Sequence, residues 1–156
     1  MTITPDRTKY FTKHLFGAGV ECSTKLFYKS QDYSENRQSK PFIEHAIYNK
    51  RLLKALLRSF YSEGVFVTGD SIEESASLTD YHLHQQQTVL FDAIFVYQQM
   101  MARLPLVIKK NNQLTLLHVQ TKAFLSKKHN LTDRNGQINS KWRKYLLDFA
   151  YQVYLV

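Results

Sequence analysis

Three polar side chains in the C-terminal half of the chain share one face of a predicted strand. His118, Gln120 and Lys122 are spaced two apart, and side chains two apart lie on the same side of a strand. They offer an imidazole, an amide and an ammonium group. Hydrogen-bond donors and positive charge suit contacts with phosphate, whereas magnesium requires hard oxygen ligands, usually carboxylates. The face therefore lacks the carboxylate ligands that magnesium requires.

A predicted β-hairpin positions this polar face. Apolar residues predominate at positions 104–108 and 114–119, and the polar residues 109–113 separate the two runs. Two apolar runs around a short polar tip are typical of an antiparallel hairpin. The sequence thus predicts two strands joined by a five-residue loop, and the polar face begins at the end of the second strand.

The hairpin resembles the catalytic hairpin of the PD-(D/E)XK nuclease superfamily, and the order of elements around it resembles the RecB-like branch. That branch is found at the N-terminus of long bacterial proteins and in CRISPR-associated exonucleases. The resemblance covers residues 10–16, the cysteine, basic and aromatic pattern of residues 21–28, a long helix, the strand 89–95, the hairpin, and a last helix with Gln152 and Tyr154. It implies an α/β, restriction-endonuclease-like core with a central mixed β-sheet flanked by helices.

The side chains that the resemblance implies for catalysis are largely absent. Lys50 stands where the long helix would carry an acid, Pro105 where the hairpin would carry the metal-binding Asp, and His118 and Gln120 where Glu-x-Lys is expected. Asp92 is the one carboxylate at a position that, by the resemblance, would face the active site. We therefore expect no resident metal and no catalytic residue, and Mg²⁺ or Mn²⁺ would bind only if the site had been rearranged.

Two further positions belong to the same degenerate site. Lys122 lies on the polar face and could replace the missing catalytic lysine, although a lysine without its carboxylates catalyses little. Gln152 matches the glutamine that the last helix of the family places near the active site. For Asp92, the structural alternative is a buried aspartate that is hydrogen-bonded to a neighbouring helix.

Length and composition indicate one domain over residues 1–156, either a shortened domain or part of a longer protein. The hydrophobic content of 44% argues against disorder. The sequence contains neither an apolar run that spans a bilayer nor a signal peptide, so we expect a cytoplasmic protein. The single cysteine, Cys22, excludes an internal disulfide and an iron–sulfur cluster held by four thiolates of this chain; we expect it to be buried beside Leu26.

Positive charge is concentrated at the two ends of the chain. The formal net charge is +8, and residues 65–102 contain no lysine or arginine. A basic segment near the C-terminus is predicted to contact nucleic acid, with Phe124, Trp142 and Tyr145 available to stack on bases. Its cations are Lys122, Lys127, Lys128, Arg134, Lys141, Arg143 and Lys144. In the alternative interpretation the aromatic residues belong to the core and the cations form a solvated face.

Periodicity predicts the remaining elements. Pro41 is suited to the first turn of a helix, and apolar residues recur at helical spacing from there to Gly64. Residues 65–67 and 88–97 are predicted strands, with a helix between them. A final helix capped by Ser140 is expected to bury one apolar stripe. The predicted stripe consists of Trp142, Tyr145, Leu146, Phe149 and Val153.

Three functions are consistent with this sequence. The first is a catalytically inactive nuclease-like domain that binds DNA or RNA. The second is a protein-interaction or structural domain on the same fold, whose partner is another protein or a second copy of this chain in a homodimer. The third is an active metal-dependent nuclease that uses Asp92, His118 and Lys122.

Overall fold

The computed structural model describes residues 10–31, 41–119, 130–133 and 135–156. These residues form ten elements. In chain order they are β1 (Phe11–Thr12), α1 (Lys13–Glu21), α2 (Ser23–Ser30), α3 (Pro41–Phe60), β2 (Val65–Phe66), α4 (Ile72–Leu83), β3 (Gln87–Tyr97), β4 (Met100–Lys110), β5 (Gln113–Leu117) and α5 (Ser140–Tyr154).

The strands form one mixed sheet in the order β1-β4-β3-β2, and β5 pairs with β4 on the edge that also carries β1. The pairs β3–β4 and β4–β5 are antiparallel, while β1 runs parallel to β4 and β2 runs parallel to β3. The predicted α/β class with a central mixed sheet flanked by helices is confirmed. Helix α3 also begins at Pro41 as predicted, and α4 is capped by the Ser71 side chain, which accepts from the Glu74 amide.

The hairpin between β4 and β5 closes through a two-residue turn. Lys110 pairs with Gln113, so the turn contains only Asn111 and Asn112, and the prediction of a five-residue loop is wrong. Asn111 has φ 53°, a left-handed conformation that tight hairpin turns require and that asparagine tolerates well. The polar residues 109, 110 and 113 remain in the strands because cross-strand pairing continues up to the turn.

Pro105 lies in an interior strand, although proline cannot donate to the ladder and is usually confined to edge strands or bulges. Phe91 pairs with Leu106 and Ala93 with Leu104. Asp92 therefore stands opposite Pro105, but these two residues are not paired. The register is the same on both sides of them, so neither strand contains the extra residue that defines a bulge. Asp92 has φ 54°, which departs from strand geometry. Since proline has no N–H to donate, this local break allows it to lie between two paired segments.

One part of the core lies between the sheet and helix α5. Leu90, Ala93, Leu104 and Val107 of the central strands pack with Tyr151 and Leu155 of the helix. The Tyr151 hydroxyl donates to the Phe11 carbonyl oxygen at 2.5 Å, which ties α5 to β1. Phe16 of α1 stacks on the same ring, with 5.1 Å between ring centroids.

The buried face of α5 differs from the predicted stripe. Val153 is 49% exposed, whereas Gln152 is completely buried, so the prediction for Val153 is wrong. Near the C-terminus of the helix it is Tyr151 and Gln152 that face the strands. The N-cap of α5 is Asn139, whose side chain accepts from the Lys141 amide, so Ser140 is the first helical residue and not the cap.

Candidate functional site

His118 follows β5 directly and is held by Gln152 of α5. Its Nδ1 lies 2.8 Å from Gln152 Oε1. Gln152 Nε2 donates to the Arg103 carbonyl oxygen of β4 at 3.2 Å, and this contact fixes which end of the amide faces the imidazole. Because the amide oxygen can only accept, Nδ1 carries the hydrogen in the neutral ring. One buried amide therefore fixes both the orientation and the tautomer of the histidine.

Charged groups from three helices act on this imidazole. Burial lowers the pKa of His118, and the hydrogen bond with Gln152 opposes that shift. The positive charges of Lys13 from α1 and Lys50 from α3 lower the pKa further, while Asp148 of α5 raises it. Two lysines and one aspartate thus surround a histidine that favours its neutral form.

Lys13 is half-buried, whereas Lys50 is exposed. Burial lowers the pKa of Lys13, the nearby Asp148 carboxylate raises it, and Lys50 lowers it again. Helices α1 and α5 approach closely at this point, since a Cβ at Gly17 would lie 3.7 Å from Asp148 Oδ1. We call the group formed by Lys13, Lys50, His118, Asp148 and Gln152 the polar site.

The histidine makes the stability of the fold pH-dependent. A group whose pKa is lowered by folding binds fewer protons in the folded than in the unfolded state. We therefore expect His118 to make its complete contribution to the free energy of unfolding above its ordinary pKa of 6.5. That contribution should decrease as the pH drops below 6.5. Denaturant titrations over this range, compared with those of His118→Asn, isolate the effect from that of the other histidines. A difference curve that is flat with pH would contradict it.

Two of the positions expected to form the degenerate site, His118 and Gln152, are in contact, and the charge of a third, Lys50, acts on His118. Asp92 has a different partner, because its Oδ1 accepts from Lys54 Nζ of α3 at 2.5 Å and its side chain is 21% exposed. That pairing agrees with the alternative of an aspartate bonded to a neighbouring helix. Pro105 faces Asp92 across the β3–β4 ladder.

Gln120 and Lys122 lie outside the described residues, as do Phe124, Lys127, Lys128 and Arg134. The other predicted nucleic-acid contacts, Lys141, Arg143 and Lys144, are exposed on α5. Lys144 Nζ lies 3.5 Å from Glu21 Oε1, and the other oxygen of Glu21 forms an ion pair with Lys25. The hydrogen bond from the Lys25 ammonium group is the main cause that lowers the pKa of Glu21.

Sequence reasoning missed Lys13 and Asp148. Asp148 lies one helical turn before Gln152, so it shares a helix face with a residue already identified, and this spacing was an available signal. Lys144 and Lys141 continue the same face toward the N-terminus of α5. Lys13 had no comparable signal, because only the packing of α1 against α5 brings it to the site.

Metal ligation receives little support from the donor set. Within residues 10–31, 41–119, 130–133 and 135–156, no three His, Cys, Asp or Glu side chains are grouped to hold a metal ion. His82 and His84 are two residues apart and would share one face of a strand. Because His82 lies in α4 and His84 caps the C-terminus of that helix, they do not share a face here. Cys22 is exposed, and the prediction that it is buried is wrong because it forms the extended corner between α1 and α2.

An apolar cleft lies beside the polar site, between the end of β5 and the N-terminal half of α5. Its volume is about 400 Å³. It is lined by Leu116, Leu117, His118, Val119, Trp142, Tyr145, Leu146 and Phe149. His118 therefore belongs to both features, and its ring lies 5.4 Å from that of Phe149 between centroids.

Comparison of the chain with protein-family models, with curated proteins and with solved structures finds no match in any of the three. The resemblance to the RecB-like branch therefore stays a prediction. None of the described helices combines the length and the apolar character needed to cross a membrane.

Proposed function

We propose that this domain binds the phosphate backbone of DNA or RNA without cutting it, on a degenerate PD-(D/E)XK nuclease-like fold. The observation that carries the proposal is that the positive charges of Lys13 and Lys50, from separate helices, both act on His118 at the end of β5. Two ammonium groups and the single carboxylate of Asp148 act on this imidazole, and a phosphate would neutralise the excess positive charge. Phosphate contacts of this kind give affinity that is independent of sequence.

The side chains available support binding more than cleavage. The nuclease positions of the resemblance carry Lys50, Pro105 and His118, none of which provides the oxygen ligands that magnesium requires. The carboxylate of Asp92 is engaged by Lys54. In a nuclease using Asp92, His118 and Lys122, the Asp92 carboxylate would have to serve both Lys54 and a metal.

The exposed cations of α5 extend the proposed contact surface. Lys141 and Lys144 share a helix face with Asp148, which itself acts on Lys13 and His118. Glu21 offsets part of this charge through Lys144. A nucleic-acid backbone that passes the polar site and continues along α5 would therefore contact several cations in turn, as polyanion-binding surfaces require.

The test is a salt series with labelled single- and double-stranded DNA and RNA in the presence of Mn²⁺. We expect affinity to fall steeply with salt and the recovered strands to be intact on a denaturing gel. The double variant Lys13→Gln/Lys50→Gln should reduce the slope of log affinity against log salt by about two, because each phosphate neutralised by a lysine accounts for about one unit of slope. Lys110→Gln is the matched control, because Lys110 lies at the turn end of β4, opposite Gln113.

Each alternative outcome has a distinct meaning for the domain. A slope that is unchanged in the double variant would contradict the placement of phosphate at the polar site. Cleaved strands that become intact with Asp92→Asn would establish the active nuclease instead. The absence of salt-dependent binding to every nucleic acid would overturn the proposal and favour a protein-interaction domain.

That protein-interaction domain is the second candidate, and one observation favours it. Tyr48, Leu52, Leu56 and Phe60 recur every four residues along α3 and are exposed. Such a ridge is the geometry through which helices pack against partner helices. This function, like a cytoplasmic location, is a proposal, and self-association without nucleic-acid binding would support it.

A further inference from the structure

The apolar cleft has the size and lining of a site for a flat aromatic group. Its volume of about 400 Å³ lies within the usual range for small-molecule sites, which is roughly 300–1,000 Å³. Trp142 and Tyr145 form part of one wall, with ring centroids 6.0 Å apart and planes inclined by 58°. Leu116 and Leu146 add aliphatic surface. Planar nucleobases stack on such aromatic side chains with little dependence on their identity.

The polar side of the cleft is suited to the phosphate of a nucleotide. His118 lines the cleft and is also the group on which Lys13 and Lys50 act. An apolar aromatic wall and a cationic site are thus joined through a single side chain. A ligand that fills both must carry a flat apolar group close to an anion, which is the chemistry of a base attached to its phosphate.

We infer that the cleft between β5 and α5 accepts an unpaired base of a single-stranded nucleic acid, while Lys13 and Lys50 contact the adjacent phosphate. This inference rests on the proposed function and narrows its substrate class. A base in a duplex is stacked and paired, and extruding it costs a few kcal/mol. Single strands should therefore bind more tightly than duplexes of the same length.

The experiment uses the intrinsic fluorescence of Trp142, the single tryptophan of the chain. The 156-residue chain is titrated with a single-stranded oligonucleotide of about 12 nucleotides, within the range of single-strand site sizes, and with the matching duplex. Fluorescence anisotropy of labelled strands measures binding independently. We expect the single strand to change the Trp142 emission in parallel with anisotropy, and the duplex to bind more weakly with little change.

A variant pair tests the stacking wall. Tyr145→Leu keeps an apolar side chain in the cleft but removes the ring, and should weaken single-strand binding about tenfold while leaving duplex binding unchanged. Tyr154→Leu is the control on the same helix, because Tyr154 is 70% exposed and does not line the cleft. Denaturant titration of both variants verifies that each is folded under the binding conditions.

The outcomes separate this inference from the proposed function. Equal, salt-dependent binding of single strands and duplexes with unchanged Trp142 emission would overturn base insertion and leave phosphate binding in place. Equal losses from Tyr145→Leu and Tyr154→Leu would also overturn it. Failure of all nucleic acids to bind would overturn the proposed function itself.

Discussion

Replacing Gln152 with leucine should lower the free energy of unfolding by about 2 kcal/mol, since each buried polar group left without a partner costs about 1–3 kcal/mol. Gln152 is completely buried and joins the Arg103 carbonyl to the His118 ring. Leucine has a similar size, so the expected loss comes from the two missing hydrogen bonds and is partly offset by added apolar burial. Chemical denaturation at neutral pH measures the change.

Val153→Ala is the matched control for this prediction. Val153 is the next residue on α5 and is 49% exposed, so its truncation should change stability by less than about 0.5 kcal/mol. Equal effects of the two substitutions would contradict the orientation of α5 against the sheet. A rotated helix would bury Val153 and remove Gln152 from His118.

Truncating Leu104 to alanine should destabilise the fold by about 2–5 kcal/mol, the usual range for a buried leucine. Leu104 has no exposed surface and pairs with Ala93 in the β3–β4 ladder. Leu104 lies beside Pro105, where the ladder is interrupted. Because Pro105 has no N–H to donate, side-chain packing has a larger share in holding β3 and β4 together at this point. Thermal and denaturant unfolding both measure the loss.

A leucine at the start of β5 provides the comparison. Leu114 pairs with Lys109 near the hairpin turn and is 39% exposed, so Leu114→Ala should cost less than about 1 kcal/mol. If Leu114→Ala were the more damaging substitution, the core would not be centred on β3 and β4. These two leucines therefore test where in the sheet the stability of the domain resides.

The polar site and the apolar cleft assign different roles to neighbouring side chains. Gln152 is a positioning residue, since it orients His118 and is itself anchored to Arg103. Lys13 and Lys50 supply charge, and Trp142 and Tyr145 supply aromatic surface. Gln152→Leu should therefore disturb stability more than Lys50→Gln does, whereas Lys50→Gln should change the salt dependence of binding.

The sequence alone determined the elements whose signals are local. The apolar runs in β3 and β4 predicted strands, and the helical spacing after Pro41 predicted α3, because side-chain periodicity follows directly from backbone geometry. It also supplied the resemblance through which Lys50, His118 and Gln152 were assigned to one degenerate site. The loop between β4 and β5 was predicted to be too long because charged and polar residues at 109, 110 and 113 can remain in a strand when cross-strand pairing holds them.

Tertiary structure decided which side chains meet. Lys13 acts on His118 and Asp148 only because α1 packs against α5, and no spacing in the chain relates residues so far apart. The rotation of α5, which buries Gln152 and exposes Val153, depends on contacts with the sheet that a helical period does not specify. The same holds for Asp92, whose positive φ and ion pair with Lys54 arise where Pro105 interrupts the ladder. Local sequence sets the conformations available to each segment, and long-range packing selects the ones that build the site.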